Sequence, residues 1–179
     1  AFYIGIIIEM PRRAVSQIST TILSKFFKDG DLSSVNYNYK MVSINQLIIG
    51  LLLLILIITN LEEIYNLIPN RENFILGISV VPIICIAKLI NMSSSFSSEL
   101  IMMSKHYKFS VTTIIVLAII TILSNYILIP KYGINGAAYA ALISSVVFNL
   151  TKIIFIYLKF NFLPFSKNTF FTLIIGLLS

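Results

Sequence analysis

The chain has 179 residues, of which 58% are hydrophobic and 11% charged, and its mean hydropathy is +0.94. That is too apolar for a water-soluble domain of this size, which breaks its hydrophobic residues into stripes because one face must meet water. The net charge of +6 comes from scattered lysines and arginines with no basic run interleaved with aromatics, so a nucleic-acid partner is excluded, and one cysteine, Cys85, leaves no disulfide or zinc site within the chain.

The predicted architecture is an all-α, polytopic transmembrane bundle in a single domain over residues 1–179. Several stretches run without a charge for about 20 residues, which at about 1.5 Å per residue matches a hydrocarbon core of about 30 Å. Backbone amides at that depth have no water to bond, so these stretches must be helical. The first helix is expected over 2–27, followed by the polar turn Lys28-Asp29-Gly30-Asp31, with Asp31 as N-cap of the next. The second helix climbs through a polar stretch and crosses over 41–59, and residues 61–67 form a short interfacial turn ended by Pro69. The third is expected over 74–103, too long for one straight span and bent or broken at the serine cluster 93–98. The fourth covers 109–128 and stops at Pro130, the fifth covers 134–159, and a sixth, 169–179, is incomplete. The chain begins at Ala1 and ends at Ser179 inside apolar runs, so we expect a piece of a longer polypeptide, without a cleaved signal peptide.

Lysines and arginines predict the orientation. Lys25, Lys28, Lys40, Lys105, Lys108, Lys159 and Lys167 lie in alternate loops, against Arg71 and Lys131 in the others, which places the first set on the cytoplasmic side.

The first helix carries the most informative residues, because Glu9, Pro11, Arg12 and Arg13 fall inside an otherwise apolar segment. Each charge there costs at least about 2.5 kcal/mol on insertion scales, so something must compensate. Glu9, Arg13, Ser16, Gln17, Thr20 and Ser24 recur at three- and four-residue spacing and line one helical face. That face is expected to border a watery cavity or other polar helices, with Glu9 paired to Arg12 or Arg13 and one guanidinium left free. The arrangement reads either as an ion pair that fixes packing or as a guanidinium offered to an anion. The third helix repeats the pattern with Lys88, Asn91, Ser95 and Glu99: Lys88 either lines the same cavity or snorkels, and Glu99 is expected on a solvated face. Lys152 is expected to snorkel. Gly133, Gly136, Ala137, Ala138, Ala140 and Ala141 give the fifth helix a surface for close helix approach. His106, the one histidine, stands between two lysines with no acid or nucleophile beside it, and no phosphate loop, metal cluster or nucleophile elbow is present. No catalytic residue, metal or cofactor is therefore expected.

Segments 9–19 (EMPRRAVSQIS), 43–50 (SINQLIIG), 127–138 (ILIPKYGINGAA) and 164–168 (PFSKN) together resemble bacterial polysaccharide biosynthesis membrane proteins. These are the O-antigen type flippases of the multidrug/oligosaccharidyl-lipid/polysaccharide exporter superfamily. The resemblance covers essentially the whole chain and would place it in the C-terminal half of a larger protein. It implies two helical bundles around a central cavity, alternating access in the bacterial inner membrane, and a lipid-pyrophosphate-linked oligosaccharide as cargo. Its partners would be membrane lipid, that cargo and glycan-assembly enzymes. On this reading Arg12, Arg13 and Lys88 contact the substrate, while Glu9, Gln17 and Glu99 orient them or couple transport to an ion. The alternatives are a drug/cation antiporter, which would favour acidic groups in its cavity, a membrane-bound glycan polymerase or ligase, which would need a base such as His106, and a purely structural membrane module.

Overall fold

A computed structural model describes residues 2–66 and 77–164; the expected short interfacial turn is present as a helix over 61–66, while Pro69 at its end, Arg71, residues 74–76 of the expected third helix, Lys167 and the sixth helix lie outside them. The described residues are mostly helical, without strands, and form six helices: α1 (Phe2–Asp29), α2 (Leu32–Thr59), α3 (Leu61–Asn66), α4 (Val80–Ser93), α5 (Ser95–Met103) and α6 (Tyr107–Phe160). Among the described residues, three helical stretches are long and apolar enough to cross a membrane: Leu32–Thr59, Val80–Met103 and Tyr107–Phe160. This is the character of a membrane protein. α1 has the length, but Glu9, Arg12 and Arg13 keep it outside that set.

Local chemistry explains the boundaries. Gly30 closes α1 at a positive φ of 71°, and the Asp31 carboxylate caps α2, accepting from the Ser34 amide at 3.0 Å and the Ser33 hydroxyl at 2.6 Å. Those two donors hold the Asp31 carboxyl down at about 2, below its ordinary 3.8. The expected break in the serine cluster falls at Ser94, where φ is −104° and ψ is 10°, and the Ser93 hydroxyl donates back to the Ile90 carbonyl at 3.1 Å. The third helix starts later than the hydropathy implies: 77–79 form a turn and α4 begins at Val80, with Ser79 at the N-cap position and its hydroxyl donating to Asn135 across the bundle at 2.9 Å.

The largest departure concerns the fourth helix, which runs through Pro130 instead of stopping before it. The chain reverses at Gly133, whose φ of 57° and ψ of −131° lie where only glycine is comfortable. The limbs 107–132 and 134–160 fold back antiparallel. Phe109 stacks on Phe155 at 3.7 Å between centroids, and the Thr121 and Ser144 hydroxyls meet at 3.1 Å. At about 1.5 Å per residue each limb is roughly 40 Å long. Gly136 permits the tight reversal, because a Cβ there would strike the Leu128 carbonyl group. Part of the predicted close-approach surface is used: Gly136, Ala138 and Ala140 are buried, whereas Gly133 and Ala141 are exposed.

α4 and α5 form the axis of the bundle, packed on by α1, α2 and α6. Residue pairings give the directions: Glu9 meets Lys88 and Ser16 meets Glu99, so α1 runs parallel to the axis, while Tyr39 meets Ser97 and Gly50 faces Leu89, so α2 runs against it. One apolar cluster gathers Leu23, Tyr39, Phe96, Leu100 and Ile156 at the end where Phe27, His106 and Phe160 also meet; a second holds Ile8, Ile57, Val81, Cys85 and Met92. The α1–α2 turn, the 104–106 loop and the end of α6 thus share one end of the bundle, as the lysine pattern requires of loops on one side.

Candidate functional site

The charged residues of α1 meet those of α4 through one carboxylate. Glu9 Oε1 accepts from Arg12 Nη1 at 2.7 Å, and its Oε2 accepts from Lys88 Nζ at 2.9 Å. The Glu9 side chain is 15% exposed, Lys88 18% and Arg12 30%. Gly5, one turn before Glu9, lets α1 lie close enough to α4 for this pairing, since a Cβ there would come 2.8 Å from Ile84 Cγ2. Of the two arrangements the sequence allows, Glu9 takes Arg12, and Arg13 is the guanidinium left exposed.

Glu9, Arg12, Arg13, Ser16 and Gln17 line an open cleft of about 380 Å³. The cluster of Glu9, Arg12 and Lys88 carries one negative and two positive charges, and Arg13 adds a third positive charge. The cleft is therefore cationic, and two planar guanidinium forks share it, a geometry suited to bidentate contact with carboxylate or phosphate oxygens. Lys88 stands behind the cleft and is engaged with Glu9, while Gln17 lies exposed at its wall, next to Arg13 on the same helical face.

Ser16 connects this cleft to the interior. Its hydroxyl donates to Glu99 Oε1, and Glu99, 7% exposed, is buried between α1 and α5. The expectation of a solvated Glu99 is thereby corrected: the break at Ser94 turns α5 so that this residue faces the bundle. Its Oε2 is buried with no hydrogen-bond partner among the described residues. Lys152 is likewise buried rather than snorkelling, because the 134–160 limb of α6 runs parallel to α4 and α5 and aims the ammonium at the Ser98 hydroxyl (2.9 Å), over the Phe148 ring at 4.0 Å, within electrostatic reach of Glu99.

Sequence reasoning missed this buried Glu99 and Lys152 neighbourhood, together with the polar ladder between α4 and α6. Asn149 Nδ2 donates to Asn91 Oδ1 at 2.7 Å, and Asn91 Nδ2 donates to the Ser145 hydroxyl at 3.2 Å. The available signal was polar spacing: Ser145, Asn149 and Lys152 recur every three or four residues in an apolar helix. Gln46, in α2, is buried with neither amide atom bonded among the described residues. His106 sits edge-on to Phe155 and Phe160, where it completes an aromatic cluster. Among the described residues no group of three or more His, Cys, Asp or Glu side chains could hold a metal.

The chain matches no protein-family model, no curated protein and no solved structure.

Proposed function

We propose that this chain is part of a membrane transporter that passes a lipid-linked, phosphate-bearing oligosaccharide across a bacterial inner membrane by alternating access, without covalent chemistry. The observation that carries the reading is Arg13, exposed and outside any ion pair among the described residues, beside Arg12 in a cleft on the polar face of α1. A guanidinium placed within an apolar helix is costly, and an anionic cargo that crosses beside it offsets that cost. The resemblance to O-antigen type flippases supplies the cargo class: a diphosphate joined to sugars, whose head group needs shielding over about 30 Å of hydrocarbon. In this scheme Arg13 and Arg12 hold phosphate oxygens, Glu9 and Lys88 fix the Arg12 fork, Gln17 offers hydrogen bonds to sugar or phosphate, and Glu99 responds to occupancy of the cleft through Ser16.

The test uses the full-length protein in proteoliposomes with a fluorescent lipid-diphosphate oligosaccharide. Arg13→Gln is expected to lower transport at least about tenfold, while Arg13→Lys, which keeps charge but not the fork, retains an intermediate rate. Unfolding temperature should move little, because Arg13 is exposed. A structural module predicts the reverse, a change in stability with transport intact. The cation antiporter reading predicts inhibition by cationic drugs rather than by pyrophosphate. A polymerase or ligase reading predicts that His106→Ala abolishes glycan assembly.

A further inference from the structure

The exposed face of α1 does not end at the cleft of Arg12 and Arg13. About two to four turns further along, Thr20, Thr21, Ser24, Lys25, Lys28 and Asp29 line a second open cleft of about 490 Å³. The two clefts share one helix and are joined by the exposed side of Gln17. Between Arg13 and Asp29 that face carries only an amide, hydroxyls and lysines among its polar groups, and no carboxylate. Lys25 and Lys28 are exposed and form no ion pair among the described residues, even with the adjacent Asp29. At about 1.5 Å per residue, Lys25 stands roughly 18 Å along the axis from Arg13. The described helices pack on the opposite side of α1, against Ile8, Ser19 and Leu23, and leave this track uncovered.

We propose that Lys25 and Lys28, with the hydroxyls of Thr20, Thr21 and Ser24, form a second phosphate-binding station at the lysine-rich end of the bundle, and that α1 is a two-station track for one diphosphate group. This rests on the transporter reading of the Arg13 cleft. The chemistry differs between stations in a useful way. Ammonium groups on flexible stems make looser, non-directional contacts than a guanidinium fork, so the lysine station suits capture and release at the membrane surface, and the arginine station suits retention inside. The intervening hydroxyls can both donate to and accept from phosphate and sugar, so a head group keeps hydrogen bonds along the stretch from Arg13 to Lys28, which carries no carboxylate; Asp29, at the far edge of the lysine cleft, faces two lysines. The phosphate could come from lipid-linked cargo or from an anionic phospholipid head group, and both present the same oxygens to the lysines.

The experiment measures equilibrium binding of inorganic pyrophosphate to the full-length protein in neutral phosphatidylcholine vesicles. Two sites per chain are expected. Lys25→Gln with Lys28→Gln should remove one site or weaken it at least about tenfold, the scale of one charge-assisted hydrogen bond, and Lys25→Arg with Lys28→Arg should restore it. Arg13→Gln should remove the other. If the glutamine pair leaves two sites, or if the wild-type protein has a single site that only Arg13→Gln removes, the second station is refuted while the transporter reading stands. If the glutamine pair removes a site and Arg13→Gln changes nothing, the station stands and the role given to Arg13 falls. Adding phosphatidylglycerol to the vesicles distinguishes the sources: displacement of pyrophosphate from the lysine station identifies a lipid head group as its occupant, and undiminished binding identifies the cargo. Both results support a phosphate station.

Discussion

Replacing Glu9 by Gln keeps the shape of the side chain but withdraws the one carboxylate that faces both Arg12 and Lys88. The magnitude follows from exposure. Exposed ion pairs are worth about 0.2–1 kcal/mol, whereas removing one member of a buried pair costs about 3–5 kcal/mol. The contact to Arg12, 30% exposed, belongs near the lower value; the contact to Lys88, 18% exposed against a 15% exposed carboxylate, lies between them. Together they predict a loss of about 2–3 kcal/mol, or roughly 4–12 °C in unfolding temperature for a chain of this size, read by circular dichroism in detergent micelles. The new amide also points an N–H at an ammonium, which gives the loss its sign even where solvent screens the charges. Adding Lys88→Met removes the stranded charge and should recover at least half of the loss. An effect of Glu9→Gln below about 0.5 kcal/mol, or strict additivity in the double variant, would refute the view that this carboxylate organises the cationic cleft.

Three further outcomes are expected. Gly133→Ala forces a side chain onto a left-handed backbone and should cost about 1–3 kcal/mol, and Gly136→Val should abolish disulfide formation between cysteines introduced at Thr121 and Ser144 in a Cys85→Ser background; unaltered crosslinking would contradict the hairpin. Lys152→Met should leave stability unchanged or raise it by about 1–4 kcal/mol, since a well-packed apolar chain replaces a buried ammonium, whereas Lys152→Ala leaves a cavity and should lower the denaturation midpoint; a large loss in the methionine variant would show the charge to be fully compensated. The Asp31 carboxyl is held at about 2 by Ser33 and Ser34, against 3.8 ordinarily, so its contribution to the α2 cap is present above about pH 4 and disappears as pH falls through 2; a carboxyl NMR titration with a midpoint near 4 would disprove the capping bond.

The helical elements were legible in the sequence wherever one-dimensional signals govern them. Apolar length fixed α2 and both limbs of α6, the Lys-Asp-Gly-Asp turn fixed the end of α1 and the cap at Asp31, and the serine cluster marked the break at Ser94. The polar face of α1 was equally readable, because charges in an apolar helix stand out against their cost, and the choice was narrowed to Glu9 with one of two arginines. The reversal point was misassigned because Pro130 is the stronger local breaker, yet a proline loses only one intrahelical hydrogen bond, while a fold-back of two helices at contact distance needs a backbone that only Gly133 supplies.

Partners across the bundle belong to the tertiary structure alone. Sequence spacing states which residues share a face of one helix but not which helix that face meets, so the pairing of Glu9 with Lys88, the burial of Glu99 beneath Ser16, and the turn of Lys152 into the bundle toward Ser98 awaited the packing of α1, α4, α5 and α6. A charge at a given sequence depth can snorkel, pair or be buried, and which of these it does depends on whether a neighbouring helix places a hydroxyl or a carboxylate within about 3 Å of it.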